Sequence, residues 1–441
     1  MSLLLTSRGL HTATIATLYC HITVPHSRIF RKFLSHIEDH PSLGTIVRRL
    51  DFSHFNPTGA GQTARERAQT RNLIPATLLQ CLSLTPNLRE FLAQEHIDDD
   101  ISPDIIRYLF CSLPKLKALD FCACSSTKFR DAFNAVFDAS PSPLPEFLPI
   151  TRISFHECTI LPSTIYENFL PRLRYLTHLD VAHTRITSAA LRSISTTARL
   201  THLNLSKCSH IAGSSVVDFL TKHPAARSLV YLNLAMDVKS HEMLTPEDLS
   251  ALLPILPKTL RSLNLKGSKM NKDHIPLILP LTKHLEELGL GRHLDLSSIT
   301  HLFQPASSSP DSEIDEEWVP HTLRYLDVSD LSVAEFDLGT LFGSSCPVLQ
   351  TRSEPLEVLE VGSEVWKKVE KSPAVKAVGW CGKEAGRRVW LVRVRGNGDG
   401  TEKVDSGSRE WKWGACFWGM RKIPVARAEV GGMYGHYMFK R

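Results

Sequence analysis

Residues 176–208 read LTHLDVAHTRITSAALRSISTTARLTHLNLSKC, and the reading of this stretch decides the fold. Apolar residues stand at relative positions one, four and six in Leu176-Leu179-Val181, and the same spacing returns in Leu200-Leu203-Leu205. Between the two, Ala190, Leu191 and Ile194 fall at the three- and four-residue intervals of a helix that buries one face. One coil of chain is then a short strand followed by a helix. A single coil cannot bury its own leucines and needs neighbours on both sides.

Outward from this stretch the motif recurs as Leu116-Leu119-Phe121, Ile150-Ile153-Phe155, Leu229-Leu232-Leu234, Leu260-Leu263-Leu265, Leu285-Leu288-Leu290, Leu323-Leu326-Val328 and Leu356-Leu359-Val361. Looser copies stand at Val47-Leu50-Phe52 and Leu88-Phe91-Ala93. The chain resembles the leucine-rich-repeat family. The expected fold class is α/β, a leucine-rich-repeat solenoid or horseshoe of about eleven repeats. Its parallel sheet is concave and its helices lie on the convex side, because strands stack about 4.8 Å apart while helices need about 10 Å. Helix starts are signalled by Ser102-Pro103, Pro162-Ser163, Ser214 and Thr245-Pro246.

At position nine stand Cys124, Cys158 and Cys208, with Thr184 and Ser268 in other copies. This resembles the cysteine-containing subtype of the family, common among substrate receptors of cullin-RING ubiquitin ligases. By residue chemistry alone these cysteines are small buried side chains and not reactive thiolates. The stretch Leu18 to Val24, followed by helix-like Arg28 to Ile37, resembles the segment joining an F-box to its repeats in fungal F-box/leucine-rich-repeat proteins. Only the tail of an F-box is recognisable. The resemblance implies a substrate receptor-like role in an SCF-type ubiquitin ligase, with Leu18, Tyr19 and Ile22 as candidates for adaptor contact. A plain N-terminal cap over the first core face is the competing account of the same residues.

Three expected domains follow: an F-box-tail-like cap over 1–40, the solenoid over 41–364 and a basic, Trp-rich β cap over 365–441. The last carries seventeen Lys and Arg against seven Asp and Glu, so it is +10 while residues 1–364 sum to −5. Six of the seven tryptophans lie there. Val389 to Arg395 alternates apolar and basic residues and leads into Gly396-Asn397-Gly398-Asp399-Gly400, which predicts a hairpin whose return strand includes Trp411 and Trp413. Loops are expected at 56–70, at Ser140 to Pro149 and at the acidic Gln304 to Pro320.

Positions three, five and seven of each strand alternate with the core positions and line the sheet face. Asp120, Asp180, Asn204, Asn233, Asn264 and Asp327 recur at position five and read as a structural polar ladder. Positions three and seven vary, and variation is where recognition would be written. The candidate partner-binding residues are Arg152, His156, His178, His202, Tyr231, Lys266 and Tyr325, with Tyr231 and Arg152 favoured because Tyr and Arg are enriched at hot spots.

No catalytic residue, cofactor or metal is expected. The chain carries no Walker lysine, HExxH pair or GxSxG elbow, and its histidines are dispersed. The expected function is non-catalytic protein recognition in the cytoplasm and/or nucleus. A freestanding repeat scaffold is the first alternative, and nucleic-acid binding through the basic C-terminal unit is the weaker one. A mitochondrial presequence is a further reading of the first 37 residues, whose first acid is Glu38. No apolar stretch is long enough to span a membrane, so no membrane partner is expected.

Overall fold

The computed structural model describes residues 7–394, except 54, 56–72, 94, 140–143, 238–242, 304–319, 333, 345 and 386–387. Two compact units divide at Leu200 and Thr201. Each is a run of coils in which a three-residue strand occupies positions three to five of the repeat.

The first unit holds β1 (His21–Thr23), β2 (Arg49–Asp51), β3 (Glu90–Leu92), β4 (Ala118–Asp120), β5 (Arg152–Ser154) and β6 (His178–Asp180). Each pairs in parallel with the next in sequence, position three against position three, as in Arg152 with His178 and Ile153 with Leu179. The second holds β7 (His202–Asn204), β8 (Tyr231–Asn233), β9 (Ser262–Asn264), β10 (Glu287–Gly289), β11 (Tyr325–Asp327) and β12 (Val358–Val361), also parallel. All eleven copies found in the sequence have their strand. β1 is one more: Tyr19, Ile22 and Val24 take positions one, four and six, and the Tyr at position one hid the copy.

The leucines do what their phase requires. Leu176, Leu179, Val181, Leu200, Leu203 and Leu205 are fully buried, each side chain contributing about 1.5–3 kcal/mol. In the first unit the core between sheet and helices is aromatic: Phe110, Phe121, Phe133, Phe155 and Phe169 pack mostly edge-to-face at centroid separations of 5.2–6.5 Å. The second unit fills the same space chiefly with Leu232, Leu249, Leu252, Leu263 and Ile278.

A repeated turn follows many of the strands. Side-chain oxygens at position five accept the N–H of position seven: Asp120 from Cys122, Asp180 from Ala182, Asn204 from Ser206, Asn233 from Ala235, Asn264 from Lys266 and Asp327 from Ser329, at 2.9–3.1 Å. The ladder is an Asx turn repeated along the sheet. Position eight then takes a left-handed backbone, with φ of 54–57° at Ala123, Glu157, His183 and Lys207. Gly267, at φ 84°, is the copy with no Cβ, and a Cβ there would lie 2.3 Å from the Met236 carbonyl oxygen.

Helices start at or next to the expected residues, but side-chain caps form at only some of them: Ser102 makes no cap bond, and the helix expected to open at Ser214 runs over Gly213–Lys222 behind Ala212. Ser126 and Thr187 accept from Phe129 and Ala190 N–H, and Thr245 forms a capping box with Asp248. Among the described residues three helices precede the second strand: α1 (Arg8–Cys20), with no buried residue, α2 (Ser27–Asp39), which buries Phe30, Phe33, Leu34 and Ile37, and the single turn α3 (Pro41–Gly44).

After β12 the direction reverses. β14 (Arg388–Arg393) runs antiparallel to β12 and to β13 (Trp380–Ala385). The hairpin expected around the Gly396 to Gly400 turn is thus formed on the other side of the strand, with the upstream segment Trp380–Ala385 as partner. The sequence alternation identified the strand but carries no information on which neighbour it pairs with. Trp380 and Trp390 are buried, and Trp380 donates its indole N–H to the Leu349 carbonyl at 2.7 Å. Residues 395–441, including Trp411 and Trp413, lie outside the described part, as do most of the loops at 56–70 and 304–320.

Candidate functional site

Because successive side chains along each short strand point to opposite faces, positions three and five of each coil stand on the sheet face away from the helices. In the first unit position three runs Arg49, Glu90, Ala118, Arg152, His178. Arg152 Nη2 donates to Glu90 Oε1 at 2.5 Å, reaching over the small Ala118, and Arg49 grips the other carboxylate oxygen. Side-chain exposures of 20% for Arg49, 16% for Glu90 and 23% for Arg152 leave the three-residue bridge mostly buried but reachable from solvent. His178 is half-buried. Its Nδ1 lies 2.8 Å from the Thr177 hydroxyl, which donates to the Thr151 carbonyl, so Nδ1 carries the proton and donates to Thr177.

His156, at position seven, is buried beside Asp180, with Nδ1 to Oδ1 at 3.1 Å. In the second unit His202 is buried and stacks on Tyr231, ring centroids 6.0 Å apart, and Tyr231 is fully buried with its hydroxyl accepting from Asn233. Tyr325 is fully buried too: its hydroxyl donates to Glu360 and accepts from the Trp390 indole at 3.2 Å. These four residues differ from the sequence reading, which placed them on an accessible face. Position three was assumed to face solvent because it faces away from the helices. Large rings on strands about 4.8 Å apart instead pack on one another, and at Tyr325 the strand β14 brings Trp390 against it.

Lys266 is half-buried and spans two coils. Its ammonium meets the Ser329 hydroxyl, Asp327 at 3.6 Å and Asp330 at 3.9 Å. The intervening coil carries Gly289 at position five and Gly291 at position seven, which leaves the path open. Burial pushes the Asp330 carboxyl up to about 6, against the opposing pull of Lys266.

Of the adaptor-contact candidates, Leu18 is 53% exposed on α1, while Tyr19 and Ile22 are half-buried. The Tyr19 ring lies 6.0 Å from that of His36. The ninth-position residues serve the turn: Thr184 donates to the Val181 carbonyl at 2.7 Å, Ser268 to Leu265 at 2.6 Å and Cys158 to Phe121 at 3.0 Å. Burial holds the Cys124 thiol well above its ordinary value, the opposite of what a nucleophile needs.

Residues that carry the site but escaped the sequence reading are Arg49, Glu90, Asp330 and Glu360. Arg49 and Glu90 stand at position three of the two looser copies, so tabulating that position through those copies would have found them.

Coils of strand, Asx turn and helix, repeated with the hydrophobic spacing described, define a leucine-rich-repeat protein. A Leucine Rich repeat family model matches residues 172–195. The F-box protein YLR352W of Saccharomyces cerevisiae is 26% identical over 395 residues, covering 80% of this chain and 47% of that protein. The chain therefore spans about half the length of the curated relative it matches, and it is similar to fungal F-box/leucine-rich-repeat proteins. Among solved structures, the yeast Rad7 and Elc1 complex has a TM-score of 0.38 at 14% identity, covering 75% of this chain and 92% of the other. The leucine-rich repeat-containing protein LegL7 of Legionella pneumophila has a TM-score of 0.36 at 15% identity, covering 60% and 82%. Among the described residues no helix is long and apolar enough to cross a membrane.

Proposed function

We propose that this chain is a non-catalytic protein-recognition module, a substrate receptor-like component of an SCF-type ubiquitin ligase acting in the cytoplasm and/or nucleus. Substrate meets the sheet face of the first unit at Arg152 and His178, partly exposed side chains fixed by an ion pair and a hydrogen bond, so little ordering is lost on binding; on the second unit Lys266 is a partly exposed cation held in the same way. The observation that carries the ligase half of the reading is α1. Its thirteen residues include none that is buried, and Leu10 and Leu18 are 46% and 53% exposed beside the first strand. Exposed leucines on one short helix are the chemistry of a helix-to-helix contact. The F-box relative supports the same assignment.

The test is a binding measurement between the purified full chain and a purified ligase adaptor. Wild type binds, and Leu10→Asp with Leu18→Asp abolishes binding without changing the thermal unfolding midpoint, since neither side chain contributes to the core. Absence of adaptor binding by the wild type would leave a freestanding repeat scaffold as the reading.

A further inference from the structure

One edge of the first unit has a composition that neither the fold nor the ligase reading uses. Just before each strand, positions zero to three form a rung at the edge of the sheet. Backbone hydrogen bonds join the rungs directly: Arg89 N–H to the Arg48 carbonyl, Lys117 to Arg89 and Thr151 to Lys117, at 2.7–2.9 Å. The four rungs from Ile46 to Arg49, Asn87 to Glu90, Lys115 to Ala118 and Pro149 to Arg152 carry six cations and one acid. The cations are Arg48, Arg49, Arg89, Lys115, Lys117 and Arg152. The acid, Glu90, is already held between Arg49 and Arg152. Residues 1–364 are net negative, so this concentration runs against the background.

The edge is also set in place. Arg48 donates to the carbonyls of Thr45 and Val47, Lys115 to the Asn87 side chain and Lys117 to the Pro149 carbonyl. Arg89, Lys115 and Lys117 are exposed. Four rungs at about 4.8 Å give a basic strip about 15 Å long.

We infer that this strip docks an acidic, Asp- and Glu-rich segment of a protein partner. The inference deepens the recognition reading, on which it rests, by naming the chemistry of what is recognised. A polypeptide fits better than nucleic acid for two reasons. No aromatic residue stands in the four rungs to stack a base. Glu90, in the middle of the strip, takes up the charge of Arg49 and Arg152, so the remaining cations are spaced apart, which suits discrete carboxylates better than a backbone of unbroken phosphate charge.

The experiment uses the full chain and a fluorescent poly-glutamate peptide at low salt, with a duplex oligonucleotide of matched charge as the second probe. The peptide binds, and binding weakens steeply with added salt. Arg89→Glu, Lys115→Glu and Lys117→Glu combined weaken it by about tenfold or more. The same charge change on the helical side, Arg107→Glu, Lys128→Glu and Arg130→Glu, weakens it far less. Equal loss in both triple variants, or no peptide binding by the wild type, overturns the strip while leaving adaptor binding, measured separately, intact. Tighter binding of the oligonucleotide, lost in the strip variant, overturns both the strip's assignment and the protein-recognition reading.

Discussion

The two units build the same turn largely from different atoms. In the first, position five carries Asp51, Asp120 and Asp180; in the second, Asn204, Asn233 and Asn264, with Asp327 the carboxylate among them. Carboxylate and amide oxygens accept the same N–H two residues on, at the same distances. The negative charge is therefore not needed for the fold, and where it occurs it shapes the electrostatics of the face. Both units couple charges across coils at partial exposure, the first as Arg49, Glu90 and Arg152 and the second as Lys266 with Asp327 and Asp330. Both also enclose polar groups, His156 with Asp180 in the first and Tyr325 with Glu360 and Trp390 in the second. The difference lies in the sign of the surplus: two guanidiniums share one carboxylate in the first unit, and two carboxylates share one ammonium in the second.

The cores differ as well, and this gives the largest expected effect. Phe133 packs against Phe110, Phe121, Phe129, Phe137 and Phe155. Phe133→Ala should cost about 3–5 kcal/mol in equilibrium urea unfolding, at or above the about 2–5 kcal/mol of Leu203→Ala in the second unit. A loss below half a kcal/mol at Leu203, about what a surface change gives, would contradict the core phase of the repeat.

A smaller effect concerns pH and belongs to the second unit. Burial, helped by Lys283, pulls the His321 imidazole down to about 4. The unfolded chain protonates near 6.5, so the contribution of neutral His321 is complete above that value and is lost as pH falls towards 4. The difference is on the order of 3 kcal/mol. Asp330 acts in the opposite sense: with its folded value raised to about 6, its penalty is relieved as pH falls through 6 towards its unfolded value. Comparing wild type with His321→Gln across pH 4–7 isolates the histidine. The wild type should lose ground against the variant as acid is added, and parallel curves would mean that His321 is not held neutral.

The smallest effect tests the ladder itself. Asn204 Oδ1 accepts from both the N–H and the hydroxyl of Ser206, at 3.1 and 2.8 Å. Asn204→Ala should cost about 1–3 kcal/mol by leaving a turn N–H without its acceptor, while Asn204→Asp keeps the acceptor and should retain most of that stability. Equal losses in the two variants would break the equivalence of amide and carboxylate drawn above.

Most of the architecture was legible in the sequence because one spacing repeats. Leu203 and Leu263 could be assigned to the core, and Asn204 and Asn264 to a structural ladder, from their positions in the coil. The site was less legible. Exposure of Tyr231 and Tyr325 depends on what lies on the adjacent strands and on how β14 folds back, and neither is written in the local pattern. The Arg49, Glu90 and Arg152 bridge links residues from three coils through the small Ala118. Such a link becomes visible only once the register of all four strands is known.

The reach of Lys266 across the Glu287–Gly289 coil has a consequence for how such a chain can change. Repeat proteins lengthen and shorten by duplicating or deleting whole coils, a process that assumes each coil interacts only with its neighbours. Here a side chain contacts Ser329 and Asp327 two coils away. The three coils from Lys266 to Asp330 are thereby tied into one indivisible block, within which neither loss nor gain of a repeat would preserve the contact.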